Sequence, residues 1–255
     1  MAGPGSILRG LVVDLEGERR EWIDLGIFLV LIPLVWMVLG WSPSTTIAGH
    51  DAHAMLIPHL TDLIESGGGW QNIAYRAQVM GGAKVHESVG TFSIMSVGLF
   101  LGLTPIGISN LMMIFIQWIT GWIAVRLACH LSPLVGGTLL DGSRISRAAL
   151  FLLMAFSPLV GWKITHGHMF LLAGCWPWLV VLSLALGWLR GGLTLTEISL
   201  AVFAIYSAFT STGQQSMVYS AVFGLPITLG LIGLAGRGAK SPVEVLKAAT
   251  FAISA

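Results

Sequence analysis

Long apolar stretches separated by short polar ones dominate this chain. The apolar runs cover residues 23–41, 88–104, 109–126, 146–163, 169–189, 198–212 and 216–235. At about 1.5 Å per residue, a helical run such as 23–41 crosses the roughly 30 Å hydrocarbon core of a bilayer. The pattern predicts an all-α, polytopic transmembrane helical bundle of six to seven membrane segments, with a long extracytoplasmic first loop at 42–87. Within that loop, Leu56, Leu60, Leu63 and Ile64 fall on one helical face. Pro58 suits a first turn, and Gly67-Gly68-Gly69 is a stop signal. A short amphipathic helix lying on the outer leaflet is expected there.

Only Thr104-Pro105-Ile106-Gly107 separates the second and third runs. Whether 88–104 spans therefore decides the side of every later loop. If it does not span, Arg9, Arg19, Arg20, Arg126, Arg144, Arg147, Arg190, Arg237, Lys240 and Lys247 all fall on the cytoplasmic side. Arg76, Lys84 and Lys163 then lie outside, a split of ten to three. If it spans, the split is four inside to nine outside. Basic residues concentrate in cytoplasmic loops, so the first arrangement is preferred. Residues 1–22 are then a cytoplasmic N-terminal segment, 23–235 the membrane module and 236–255 a second cytoplasmic segment. In the last of these, Ser241-Pro242-Val243-Glu244 reads as a helix start, and the natural chain is expected to continue beyond Ala255.

Composition agrees with a membrane setting. Charged residues make up only 10% of the chain, against about 25% in soluble domains. Ten Trp and 32 Gly suit interface anchoring and close helix contact. A net charge of +1 argues against a nucleic-acid partner. Cys129 and Cys175 both fall in apolar runs, which points to buried thiols rather than a disulfide framework. Residues 9–24 mix Arg with Asp and Glu and precede no small-residue cleavage site, unlike a signal peptide.

The candidate chemistry gathers on the outer side, with six of the seven His. Directly after the first run, Gly49-His50-Asp51-Ala52-His53 places a carboxylate between two imidazoles at the membrane boundary. A carboxylate there can take a proton from an acceptor hydroxyl, although Asp51 equally suits a helix N-cap. His50 and His53 could ligate a divalent metal ion or remain solvated imidazoles. Arg76, Lys84 and Lys163 are the basic groups available on this side to stabilise a phosphate. Attraction to lipid headgroups, and for Lys163 snorkelling to the interface, are their duller alternatives. His168 and Gln214 occupy two further outer turns, where helix capping or backbone satisfaction would also explain them. No run carries Asp, Glu, Lys or Arg near its centre. Asn110 and Gln117 are expected to make interhelical hydrogen bonds.

Several of these stretches together resemble the GT-C superfamily of membrane glycosyltransferases, in particular its bacterial YfhO-like branch. They are Gly49-His50-Asp51, the Pro-containing helix Leu56 to Ile64, Trp70-Gln71-Asn72 and Gly81-Gly82. Later come Gly167-His168 with Trp176-Pro177-Trp178-Leu179, and Gly213-Gln214-Gln215 with Tyr219. They run in family order over roughly residues 20–235. The third motif departs from the pattern, with Gln214 where the family tends to have His.

The resemblance implies sugar transfer from a polyprenyl-phosphate donor to an acceptor at the outer face of a bacterial plasma membrane. On that reading Asp51 is the general base, with His168 beside it as a catalytic group. His53, Arg76, Lys84, Lys163 and Gln214 contact substrate, and His50 with His53 could hold a metal. Expected partners are the lipid-linked sugar, membrane lipids and other membrane subunits. Two alternatives stay open: a non-catalytic subunit of a larger membrane complex, and a transporter or flippase of a lipid-linked substrate.

Overall fold

The computed structural model describes residues 15–47, 57–65, 94–132, 143–166, 176–190, 193–211, 222, 224–230, 232 and 233. Among these, all regular secondary structure is helical. The elements are α1 (Leu15–Val38), α2 (Ile57–Glu65), α3 (Ile94–Phe100), α4 (Pro105–Leu131), α5 (Arg144–Ala155), α6 (Pro158–Thr165), α7 (Trp176–Arg190) and α8 (Leu195–Ser211). Two stretches, Glu18–Val38 and Pro105–Leu131, are long and apolar enough to cross a membrane. A third counts if the bent pair α5–α6 is taken as one span. These lengths and compositions fit a membrane protein.

Helix α4 is the hub, packing against α1, α2, α3, α5 and α7. It is apolar all round, as a helix surrounded by other helices should be. Thr104 caps its start by accepting a hydrogen bond from the Gly107 amide at 3.1 Å, and Pro105 occupies the first turn. One core cluster gathers Ile108, Met112, Met113, Ile116, Ile119, Trp122 and Ile123 of α4 against α6, α7 and α8. A second joins Phe28 and Ile32 of α1 to Val125 of α4 and to Phe151 and Ala155 of α5. There the Phe28 and Phe151 rings stack at 4.1 Å.

The outward face of α1 carries Trp22, Leu29, Val30, Leu34 and Val38, all exposed. Lipid is the natural solvent for such a face. Cys129 of α4 is a half-buried thiol.

Several expectations are refined. In the 88–104 run the described helix is α3, and residues 88–93 lie outside the described residues. The expected amphipathic helix is α2, and its Leu60 is fully buried. This helix packs on α4, so part of its apolar face meets protein.

The 146–163 run is broken rather than continuous, bending by 46° between Ala155 and Pro158. Pro158 has no amide to continue the ladder, and Ser157 restarts the helix by accepting from the Val160 amide. The Ala155 carbonyl, orphaned at this break, accepts from Gln117 Nε2 at 3.1 Å, while Gln117 Oε1 accepts from Trp36 Nε1 at 2.7 Å. Gln117 thus ties α1, α4 and α5 together, as expected of a polar residue within a span. Finally, α1 begins at Leu15, well before the expected start at 23, and draws Glu18 and Glu21 into the helix.

The α4–α5 crossing depends on Gly121, where an added Cβ would lie 2.7 Å from the Phe151 ring and 3.0 Å from its carbonyl oxygen. Gly121→Ala is expected to destabilise the protein by about 1–3 kcal/mol through overpacking. At Gly26 of α1 an added Cβ would meet nothing within 4 Å. Gly26→Ala should therefore leave stability unchanged or raise it by up to about 1 kcal/mol. Thermal unfolding of both variants in detergent checks the pair.

Candidate functional site

Four helix ends converge on the side of the bundle where α1 begins, here termed the basal end. On α1, Glu18, Glu21 and Asp24 recur every third residue and share one face. Near the end of α4, Trp122, Arg126 and His130 recur every fourth. Arg147 sits in the first turn of α5, and Glu197 in the first turn of α8.

Two charge clusters result. In the simpler one, Arg147 grips Asp24 in a two-pronged ion pair, with Nε to Oδ2 at 2.5 Å and a terminal nitrogen to Oδ1 at 3.2 Å. The larger cluster centres on Glu197, which is 1% exposed. Its Oε1 pairs with His130 Nε2 at 2.9 Å and accepts from Ser183 Oγ of α7 at 2.9 Å. Its Oε2 accepts from the Arg126 guanidinium.

Glu21, 4% exposed, accepts from Trp122 Nε1 at 3.2 Å and from the Thr194 hydroxyl. Arg126 Nε stands 3.4 Å from Glu21 Oε1 and makes no hydrogen bond. Thr194 also caps α8, its hydroxyl accepting from the Glu197 amide at 3.0 Å. Glu18 completes that cap, its carboxylate accepting from the Thr196 amide at 3.0 Å and from the Thr196 hydroxyl. A carboxylate at a helix N-terminus is favoured by the orphan amides and the helix dipole. Gly187 lets α7 pass closely, since an added Cβ would sit 2.5 Å from Leu193 and 3.0 Å from His130. A narrow apolar crevice beside Ser183 and Glu197, lined also by Trp122, Ile123, Val180 and Ala201, is too tight to hold water.

At the distal end a polar clasp fixes the chain after α1. Asn110 Oδ1 accepts from the Ile47 amide at 3.0 Å, and Asn110 Nδ2 donates to the Thr45 carbonyl at 2.8 Å. Trp41 Nε1 donates to the same carbonyl at 2.8 Å. Asn110 precedes Arg126 by sixteen residues on α4, so about 24 Å of helix separates the clasp from the basal clusters.

Of the residues read as candidates from the sequence, His50, Asp51, His53, Arg76, Lys84, His168 and Gln214 lie outside the described residues. Lys163 is described. Its ammonium lies 4.6 Å from the Trp162 ring centroid near the end of α6, where the His166 ring lies against the same indole at 4.7 Å, tilted by 35°. This is the environment of an interfacial anchor. The indole nitrogen of Trp176 donates to Thr120 Oγ1 at 3.2 Å. Among the described residues no group of three or more His, Cys, Asp or Glu is arranged to hold a metal ion.

Sequence reasoning missed the basal clusters, reading Arg126 and Arg147 only for the side of the membrane on which they fall. The local signals were the three-residue spacing on α1, the Arg126–His130 pair, and Thr194-x-x-Glu197, which has the form of a capping box. No family model, curated protein or solved structure matches this chain.

Arg147→Met leaves the Asp24 carboxylate buried without its guanidinium and is expected to cost about 3–5 kcal/mol. The double variant Asp24→Leu, Arg147→Met should recover most of that loss, because a well-packed apolar pair often replaces a buried ion pair at little cost. Denaturant unfolding of the two proteins in one detergent compares them directly.

Proposed function

We propose that this chain is a GT-C-like membrane glycosyltransferase that moves a sugar from a polyprenyl-phosphate donor to an acceptor at the outer membrane face. Its N-terminus and basal end face the cytoplasm, as the ten-to-three distribution of basic residues favours. Six runs span and 88–104 does not, the arrangement that the same distribution of basic residues prefers.

The Asn110 clasp is the observation that carries the reading. It holds residues 43–47 at the distal end of α4. Asp51 follows Ile47 by four residues, and an extended chain reaches at most about 14 Å over that length. The clasp thus fixes the chain at Ile47, four residues before Asp51, against α4. In the proposed reaction Asp51 takes the acceptor proton while the bond to the anomeric carbon forms. Arg76, Lys84 and Lys163 stabilise the departing polyprenyl phosphate, with His53 and Gln214 contacting substrate and His168 beside the reacting groups. A divalent ion at His50 and His53 belongs to the same proposal, and the proton transfer does not depend on it.

A second reading, a non-catalytic subunit of a larger membrane complex, draws on the basal end, where the carboxylates are taken up by partners within the chain and the adjoining crevice is tight.

The deciding experiment assays sugar transfer from a radiolabelled polyprenyl-phosphate sugar in membranes containing wild-type or Asp51→Asn protein. Transfer by the wild type, lost at least about a hundredfold in the variant at equal membrane abundance, is expected for a general base. Undiminished transfer by Asp51→Asn overturns the assignment. Absence of transfer by the wild type, with stable co-purification of partner subunits, favours the second reading.

A further inference from the structure

At the break between α5 and α6 the hydrogen bonds divide at a single residue, Ser157. On the α5 side, the Phe156 amide donates to the Leu152 carbonyl at 2.9 Å and the Ser157 amide to the Met154 carbonyl at 3.3 Å. On the α6 side, the Ser157 carbonyl accepts from the Gly161 amide at 2.8 Å and its hydroxyl from the Val160 amide at 3.4 Å. Rotation about the N–Cα bond of Ser157 carries its hydroxyl, its carbonyl and α6 together, and breaks none of these four bonds. Ser157 sits at φ −57° and ψ 151°. A residue before proline is kept extended, and in that region φ runs from about −60° to about −160° without a clash.

The two sides of this pivot are held unequally. Helix α5 is fixed along its length: Arg147 grips Asp24, Phe151 stacks on Phe28, and the Ala155 carbonyl accepts from Gln117 of α4. Helix α6 has eight residues, and the side chains it buries in the core cluster are Val160 and Ile164. Pro158, Leu159 and Trp162 are exposed, and a Cβ added at Gly161 would meet nothing within 4 Å.

We propose that α6 is a hinged half-helix that pivots on Ser157 between a docked position, with Val160 and Ile164 in the core, and a swung one in which they leave it. Hinges of this kind concentrate a large backbone rotation in one or two residues at an element end. Gln117 keeps the α5 side still, so α6 is the part that moves. Lys163 follows Ser157 by six residues, and about 9 Å of helix acts as its lever. The hinge itself rests on the backbone bonding alone. Its use rests on the reading above, in which Lys163 meets the donor phosphate: the swing brings that ammonium to the phosphate or withdraws it.

Spin-label distances in the intact protein, held in lipid nanodiscs, test the hinge. The labels replace Ile145, exposed at the start of α5, and His166, exposed at the end of α6, in a background carrying Cys129→Ala and Cys175→Ala. The two sites are 21 residues apart, about 30 Å along the helices. Ile164→Ala removes a docking side chain and is expected to add a second distance, raising the swung population about tenfold or more. Adding Pro158→Ala supplies the missing amide, joins the two ladders and should collapse the distribution to one narrow distance. Gly121→Ala, which disturbs the α4–α5 crossing instead, should keep the wild-type distribution. A wild-type distribution in Ile164→Ala overturns the hinge, as does a second distance that survives Pro158→Ala or arises in Gly121→Ala. Val160→Ala, a smaller truncation, is read in the same way if Ile164→Ala does not fold. Polyprenyl phosphate added to the labelled protein should shift the distribution, and no shift refutes the link to the donor. The distances need no substrate turnover, so a chain without transfer activity can still show the hinge, and a failed hinge leaves the Asp51 assay untouched.

Discussion

Burying charge in a low-dielectric medium is the constraint around which the basal end is built. An ionised side chain at the centre of a bilayer costs at least about 2.5–3.5 kcal/mol, and the cost is offset only when partners are supplied with good geometry. Glu18, Glu21 and Asp24 would make the start of α1 a poor membrane helix by themselves. They are accommodated because α4, α5 and α8 each deliver a partner at the same level: Arg126, Arg147, and Thr194 with Thr196. The relative placement of four helices follows from that matching. The apolar packing farther along, with Phe28 on Phe151 and the Met112–Met113 region of α4, fills in a frame that the charges have set in register.

The two ends of the bundle use polar groups differently. At the basal end the groups are ionic, and most are committed to one another. At the distal end they are neutral amides and hydroxyls that pin a connecting segment, with Asn110 and Trp41 converging on the Thr45 carbonyl. A rigid clasp on a chain segment is a means of presenting whatever follows it, whereas a closed ionic cluster mainly holds helices in place.

The sequence made the helical class and the approximate position of most helices legible, because apolar runs and punctuating Pro, Ser and Thr residues are local signals. The start of α1 was misjudged for a physical reason: polar residues at a helix end look the same whether they face water or a buried partner. The break at Ser157-Pro158 carried a visible cue in its proline. The basal pairings carried only partial cues, since the partners of the α1 carboxylates lie 101 to 178 positions away in the chain and no local spacing encodes which carboxylate meets which cation. For the outer-face motif the balance is reversed. Residue types and order suggested its chemistry, and among its candidate residues only Lys163 is described, in a setting that reads as interfacial anchoring.

Those long separations bear on how the protein is made. The carboxylates of α1 leave the ribosome first, yet Arg126, Arg147 and Thr194 are synthesised more than a hundred residues later. Chains grow at about 5–20 residues per second, so the α1 carboxylates spend several seconds or more without their partners. During that interval the first turns of α1 are best kept in the headgroup region, with only the apolar part from about Gly26 onward inserted. The basal end is then the last part of the bundle to close, and arrival of the Thr194–Glu197 turn marks the moment when the first helix can settle to its final depth.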